Sequence, residues 1–398
     1  MRRVLVIGSG IAGTAAALSA ARAGARVSVV SSGPGASALA GGAIDLEPWE
    51  SCGDRATPIG ADERAVLDAL GGFGVGDTGV VVATLAGILR PARGADLALL
   101  DLGPLRDAEV LVPDAELRNW DATALARAWN DSPAARERRL RFATSPVQII
   151  QTRAEHDLGD ADMAALHDAP DRIRWLAARL GEAKGTRAAV LLPPWLGVDR
   201  ARAAALGDLV GVRCGEALGG TGGPSGLRFE NARDRAFAGA GVESVRGRIV
   251  SVTFDGSWRG WLETGDALDE VDAVVLATGG LLGGGLLYSP IASVLASEPR
   301  AAGGPLVRAT LDAPLVIGVG GAPLEPPSSL FGGAPETHAW PYVDPSLLER
   351  AGVLLGDPGH VRGAPTGLFA AGEVVADRPR TWLDALSSGV AAGSAAAR

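Results

Sequence analysis

An α/β fold, with a central parallel sheet fed by distant parts of the chain and a smaller α/β region inserted between them, is what this 398-residue sequence predicts. Three observations carry the prediction. A strand, a glycine loop and a small-residue helix open the chain as MRRVLVIGSGIAGTAAALSAARAG. Two later apolar runs, AVVLATGG at residues 273–280 and GLFAAGEVV at residues 367–375, end in small-residue turns, the pattern of strands buried on both faces. Between the opening and these runs, apolar segments alternate with helical ones, as in a second α/β layer.

Along the chain, RVLVIG forms the first strand, residues 11–23 a helix whose small residues allow close approach to a sheet, and ARVSVVSS the second strand, together one βαβ unit. From Asp54 to about Arg141 the pattern loosens into helical stretches, DERAVLDALGGFG and LARAWNDSPAARERRLRFA, with short strands among them. A second α/β series follows: PVQIIQT as strand, DADMAALHDAPDRIRWLAARLGEAKG as helical segments, RAAVLLPPWLG as strand, DRARAAALGDLVG as helix and VRCGEAL as strand. The stretch from Phe229 to Gly280 supplies a helix, two or three antiparallel strands and the buried strand AVVL. The tail supplies a turn, GHVRGAPTG, then the strand LFAA and a terminal helix rich in alanine and glycine. This divides the chain into a discontinuous nucleotide-binding domain (residues 1–53, 226–300 and 346–398), an inserted α/β region (54–225) and a cap on the substrate side (301–345).

Composition excludes several classes. A net charge of −9, with no run of Lys or Arg interleaved with aromatics, argues against a nucleic-acid partner. Lys184 is the only lysine, which restricts Schiff-base chemistry to that position. Cys52 and Cys214 are isolated, so neither a disulfide framework nor a metal site is expected, and the reducing cytosol is the expected compartment. The N-terminal apolar run is broken by polar and charged residues and has no small-residue cleavage site, so no signal peptide is expected. The uncharged stretch AVVLATGGLLGGGLLYSPIASVLAS is long enough to span a bilayer, but its central glycines and Pro290 read better as a buried strand and a turn, so no transmembrane segment is expected.

The loop Gly8-Ser9-Gly10-Ile11-Ala12-Gly13 follows a strand and opens a helix, the setting in which glycines cradle a phosphate. The first glycine permits the tight turn, the second lets backbone approach a pyrophosphate, and the third lets helix and strand pack, while the helix N-terminus offers N–H groups to the anion. The acid that reads a ribose 2′-hydroxyl after the second strand is missing, and Ser31 and Ser32 stand in its place, which disfavours NAD. No Ser/His/Asp order, metal-ligand cluster or G-x-x-x-x-G-K-[ST] loop supports a hydrolase, metalloenzyme or P-loop reading.

Together, G-S-G-I-A-G, ATGG at 277–280 and GLFAAGEV at 367–374 resemble the three signature segments of two-dinucleotide-domain flavoproteins. The resemblance implies that Thr278 and Gly279 approach a flavin and that Glu373, beside Gly372, accepts hydrogen bonds from ribityl hydroxyls. It also implies that backbone N–H groups around Ser388, Gly389 and Val390 face the pyrimidine edge of the isoalloxazine. AGGAIDL at 40–46, containing Gly41, Gly42 and Ala43, joins ATGGLLGGGL at 277–286 and LLPPWLG at 191–197 in a narrower likeness. With these blocks, and the tract from Gly226-Leu227-Arg228 onward, the sequence resembles the anaerobic glycerol-3-phosphate dehydrogenase B-subunit family, flavoproteins with a Rossmann-like domain. The likeness covers most of the chain in order, in short blocks. It implies a component of a membrane-associated complex that oxidises glycerol 3-phosphate to dihydroxyacetone phosphate, or relays its electrons toward quinone. FMN is the cofactor it favours and FAD the alternative. The implied location is cytoplasmic, peripheral at the inner face of the cytoplasmic membrane through partner subunits. Two features depart from the family: DRPRTWLDALSSG replaces a C-terminal glycine- and cysteine-rich run, and no partner subunit is fused to the chain.

Of the four histidines, His156 and His167 lie in an acidic stretch and read as surface residues, and His360 sits in the hairpin GDPGHVRG. His338, in ETHAWPYVD, has aromatic and proline neighbours in the cap segment and is the candidate base. Arg228 and Arg308 are the candidates to pair with a substrate phosphate, a task suited to a bidentate guanidinium. Two other readings stand beside this one: a different FAD-dependent dehydrogenase or oxidase sharing the fold, and a flavin-free scaffold subunit.

Overall fold

The structure is a computed structural model that describes residues 1–45, 59–115, 117, 119–288, 307–324, 349–356 and 359–398. The chain clusters into two units, one of Met1–Ala36, Thr57–Val66 and Ala236–Arg398, the other of Ser37–Ala56 and Leu67–Arg235. The fold is α/β, with a Rossmann-like sheet in the first unit.

That sheet has five strands in the order Glu243–Arg246, Arg26–Ser31, Arg3–Ile7, Ala273–Leu276, Leu368–Ala370. Every neighbouring pair is parallel. AVVL and LFA are buried at every position, which is why these strands read as continuous apolar runs and not as alternating ones. The chain moves from the central strand Arg3–Ile7 out to one side, and its later segments return to the other side. The order therefore reverses between Arg3–Ile7 and Ala273–Leu276, and their C-terminal ends mark the switch point where open α/β sheets bind ligands.

The N-terminal helix, Ile11–Arg22, is buried from Ile11 through Ala20. It packs on the C-terminal helix, Trp382–Ala396, with almost nothing between the backbones. A Cβ on Gly389 would collide with Ala12 O, and one on Gly393 would collide with Ala16 O. These are matched steps of one turn on each helix, so small residues on both sides set the spacing. Thr381 caps the C-terminal helix through a hydrogen bond from Asp384 N at 3.1 Å. Arg378 then grips the Asp384 carboxylate with two bonds of 2.9 Å.

The second unit holds a parallel four-stranded sheet in the order Arg141–Pro146, Glu109–Asp114, Ala189–Leu192, Arg213–Glu216. It also holds an antiparallel sheet of Ala43–Ile44, Leu89–Asp96 and Phe73–Ala83.

Several expectations are corrected. ESVR was expected in an antiparallel set, but Glu243–Arg246 is a parallel edge strand beside Arg26–Ser31, and only Ile249–Phe254 and Trp258–Leu262 form the hairpin. A short polar strand carries no mark of its direction, and its largely exposed side chains suit an edge. RFATSP was expected to end a helix and is a strand, because Arg139 turns left-handed (φ 53°) and closes the helix Pro133–Arg138. Of PVQIIQT only Pro146 lies in a strand, as the last residue of Arg141–Pro146; Val147, Ile149 and Ile150 are apolar because they fill the core of the second unit. Residues 37–45, expected with the nucleotide domain, cluster with the second unit, where Ala43 and Ile44 pair with Ala95 and Gly94. Residues 307–324, expected in a separate cap, cluster with the first unit. Among the described residues, no helix is long and apolar enough to cross a membrane.

The helix contact makes a contrast that unfolding can check. Gly393→Val, which drives a side chain into Ala16 O, lowers stability by about 2–3 kcal/mol in urea unfolding. Gly181→Ala, on an exposed helix position with no atom within 4 Å of the new Cβ, raises stability by roughly 0.5–1 kcal/mol.

Candidate functional site at the sheet switch point

The first strand ends at Ile7 and the chain turns at Gly8 with φ +109°, a conformation that strains any residue with a Cβ. A Cβ there would also strike Ala277 O, and a Cβ on Gly13 would strike Gly8 O. The loop after the first strand thus lies directly on the turn after Ala273–Leu276, at the switch point itself. Gly8 N donates to Val30 O at 2.8 Å, which ties the loop to the second strand as well. The helix then begins at Gly10 with no side-chain cap and no acid in its first turn. Its positive end is left for an external anion.

Across the switch point, ATGG folds back on itself. Gly279 has φ +81°, and a Cβ on Gly285 would meet Gly279 O and Thr278. Gly372 also has a positive φ, +75°; its N–H donates to Ser388 Oγ at 2.9 Å, and a Cβ on it would come within 2.8 Å of Ala12 Cβ. Glu373, next in sequence, is half-buried, and its carboxylate makes no hydrogen bond to any described residue. A Cβ on Gly280 would lie 3.0 Å from Glu373 O and 2.8 Å from Arg380 Nη1. That Arg380 nitrogen is itself buried without a hydrogen-bond partner among the described residues.

These features fit a flavin nucleotide: a glycine cradle at an uncapped helix N-terminus for the phosphates, and an unpaired carboxylate suited to sugar or ribityl hydroxyls. Ser31 closes the second strand, its carbonyl accepting from Gly247 N at 3.0 Å, and Ser32 is exposed. Neither supplies a carboxylate.

Ser388, Gly389 and Val390 are placed differently from what the resemblance implied. They lie inside the helix Trp382–Ala396, where backbone N–H groups bond along the helix, and Gly389 faces Ala12. The helix N-terminus is at Thr381, several residues earlier. Arg380, just before it, is the residue that sequence reasoning missed. The only signal was its position ahead of a Thr N-cap.

Arg228 is not an available substrate ligand. It is 3% exposed in the second unit, with Nε donating to Asp96 Oδ2 at 2.7 Å, Nη2 to Glu216 Oε2 at 2.6 Å, and Nη1 to Gly197 O. Glu216 also accepts from Leu196 N. The motif glycines close the same network. Gly42 O accepts from Asp96 N at 2.7 Å, a Cβ on Gly42 would hit Ser225 Oγ, and one on Gly226 would hit Ala38 O. A Cβ on Gly41 would press on Gly219 O, and Ala43 is held in its strand pair. Packing within this unit accounts for these small residues. Two carboxylates share one guanidinium here, and burial, despite Arg228, pushes the Glu216 carboxyl up to about 7.

Arg308 lies on the strand Val307–Ala309, which pairs with Leu286–Tyr288 just beyond the glycine turn. It lines a cavity of about 670 Å³ with Arg248, Thr310, Asp312 and aliphatic side chains such as Leu311 and Leu315. Thr310 Oγ1 reaches Gly284 O at 2.9 Å, joining the cavity wall to the glycine turn. Arg308 makes no ion pair with a described residue. His338 lies outside the described residues. His167, expected at the surface, is fully buried: its ring Nδ1 sits 2.7 Å from Met163 O beside the Arg172–Glu155 pair, and burial pulls its pKa down to about 4. His360 packs on Phe369, with ring centroids 4.3 Å apart.

Residues 3–49 match the model of an FAD binding domain. This stretch contains the glycine loop and both strands that frame it, and the match favours FAD over the FMN that the glycerol-3-phosphate dehydrogenase resemblance favoured. No curated protein matches the chain. Among solved structures, iminodiacetate oxidase from Chelativorans sp. BNC1 is similar at 15% identity, covering 99% of this chain and 94% of that one, with a TM-score of 0.32. A variant of HpxO from Klebsiella pneumoniae, complexed with FAD, is similar at 13% identity, covering 98% and 80%, with a TM-score of 0.32. Thioredoxin reductase from T. acidophilum is similar at 12% identity, covering 100% and 98%, with a TM-score of 0.24.

The buried triad predicts a pH effect of definite sign. The folded Glu216 carboxyl titrates near 7 and an unfolded one near 4.5, so its contribution to stability is full below 4.5 and is lost as pH rises toward 7. Glu216→Gln, which cannot titrate, lacks this loss, so the stability of wild type falls relative to that of the variant as pH rises from 5 to 8. Melting temperatures of both proteins across this range check it.

Proposed function

We propose that this chain is an FAD-dependent oxidoreductase that holds its cofactor at the switch point of the five-stranded sheet. One observation carries the reading: Gly8 and Ala277 meet backbone to backbone at the point where strand order reverses, inside and beside the stretch that matches an FAD binding domain. Bound there, FAD supplies two-electron chemistry. The chain's own residues supply its placement. The N-terminal helix, uncapped at Gly10, holds the pyrophosphate, and Glu373 accepts from hydroxyls. The missing acid at Ser31-Ser32 matters little to a ligand held by its pyrophosphate and its flavin half.

Within this class we infer that the substrate is glycerol 3-phosphate, oxidised to dihydroxyacetone phosphate with electrons passing toward a quinone-linked partner. The support is the sequence resemblance to the glycerol-3-phosphate dehydrogenase family together with Arg308, an exposed guanidinium in a cavity whose wall is bonded to the glycine turn. Arg308 pairs with the substrate phosphate in this reading. Partner subunits hold the chain at the inner face of the membrane.

Purified protein is expected to carry a flavin that chromatography identifies as FAD, and glycerol 3-phosphate is expected to bleach it, alone or with candidate partner subunits. A colourless protein that neither FAD nor FMN reconstitutes overturns the class. FAD that stays oxidised with glycerol 3-phosphate under every partner condition overturns the substrate and leaves the class standing.

A further inference from the structure

Arg380 uses its three nitrogens in two different ways. Nε donates to Glu349 O at 2.8 Å and Nη2 donates to Ala351 O at 2.8 Å. These two bonds to backbone fix the plane and the direction of the guanidinium. Nη1 is buried, with no hydrogen-bond partner among the described residues. An arginine stays protonated in a protein, so this is a charged donor kept from water that no described residue receives. Burial pulls the group down from its ordinary pKa, and the carboxylates of Glu373 and Glu349 work against that fall.

The direction of the unpaired nitrogen is given by what surrounds it. It lies 2.8 Å from the position a Cβ would take on Gly280, the last residue of ATGG, and Glu373 Cβ lies 3.1 Å from that same position. A side chain larger than glycine at 280 would fill this space. Glu373 and Arg380 sit close enough to influence each other, yet no ion pair joins them, and the Glu373 carboxylate has no hydrogen-bond partner among the described residues. A buried donor without a partner among the described residues and a half-exposed carboxylate that no described residue bonds therefore flank one glycine of the switch-point turn. Such a pair is complementary to a ligand that presents an oxygen acceptor and a hydroxyl donor side by side. A flavin nucleotide presents both.

We propose that Arg380 is a direct ligand of the bound flavin nucleotide, its Nη1 donating to one of the nucleotide's oxygens while Glu373 accepts from an adjacent hydroxyl. This rests on the FAD reading of the switch point. Because the backbone carbonyls of Glu349 and Ala351 already hold the guanidinium, little side-chain freedom is lost on binding, and most of the hydrogen-bond energy appears as affinity. The oxygen is either a phosphate oxygen or an oxygen of the ring and ribityl chain. Both are acceptors for the same charged donor, and ligands with and without phosphate tell them apart.

The test titrates apo-protein with FAD, FMN and riboflavin, followed by flavin fluorescence, for wild type, Arg380→Gln and Arg380→Lys, alongside the unfolding midpoint of each apo form. A charge-assisted hydrogen bond is worth about 1.5–3 kcal/mol, so Arg380→Gln raises the dissociation constant for FAD roughly 10- to 100-fold. Arg380→Lys, which keeps the charge and loses the two-carbonyl clamp, falls between. An equal loss for riboflavin places the acceptor on the ring or ribityl chain; a loss confined to FMN and FAD places it on phosphate; either supports the proposal. Variant affinities equal to wild type for all three ligands overturn it, whether or not the apo midpoint falls, because a purely structural Arg380 shifts the midpoint and leaves affinity alone. If Arg380→Gln fails to fold, Arg380→Lys decides by the same comparison. Wild type that binds no flavin overturns the FAD reading itself, and this proposal with it.

Discussion

The first unit depends on how closely two backbones approach at one point. Gly8 turns with a positive φ and lies against Ala277 O, leaving no room for a side chain between the loop after the first strand and the turn after the fourth in the sheet. That closeness lets strands from residues 3, 273 and 368 share one parallel sheet, since their C-terminal loops converge on the same spot. Gly13, Gly372, Gly389 and Gly393 extend the constraint outward, each excluding a Cβ where strand, turn or helix touches its neighbour. The result is a layer of backbone with few side chains in front of it, and backbone N–H groups are what a phosphate binds.

Two kinds of charged cluster stand apart among the described residues. In the second unit, two buried clusters are satisfied: Arg228 between Asp96 and Glu216, and Arg172 with Glu155 at 2.5 Å near His167. Such networks fix loops in place, and the groups within them are already engaged with one another. At the switch point of the first unit, Arg380 Nη1 is buried without a partner among the described residues, beside the half-exposed Glu373 carboxylate. Unsatisfied groups at the ligand-binding end of a parallel sheet are what distinguishes a site from a scaffold.

Much of the sheet was legible because its residues obey one rule each. RVLVI, AVVL and LFA are apolar throughout because both faces are covered, and the glycine loop sits between a strand and a helix as its mechanism requires. What was illegible depended on partners far along the chain. Arg228 looked like a substrate ligand since nothing in GLRFE shows that Asp96 and Glu216 close around it. AGGAIDL looked like a cofactor motif since nothing in it shows that Ser225 and Gly226 press on its glycines. Gly389 has the composition of a ligand loop and the environment of a helix contact. Arg380 was overlooked because a charged residue before an N-cap reads as solvated, and only the carbonyls of Glu349 and Ala351 turn it inward.

The most direct measurement is a crystal structure of the protein grown with FAD. The account predicts the pyrophosphate at the N-terminus of the helix Ile11–Arg22, between Gly8–Gly13 and Ala277–Gly280, with a hydroxyl of the cofactor on Glu373. FAD bound elsewhere on the chain, with the glycine loop empty of phosphate, would contradict it.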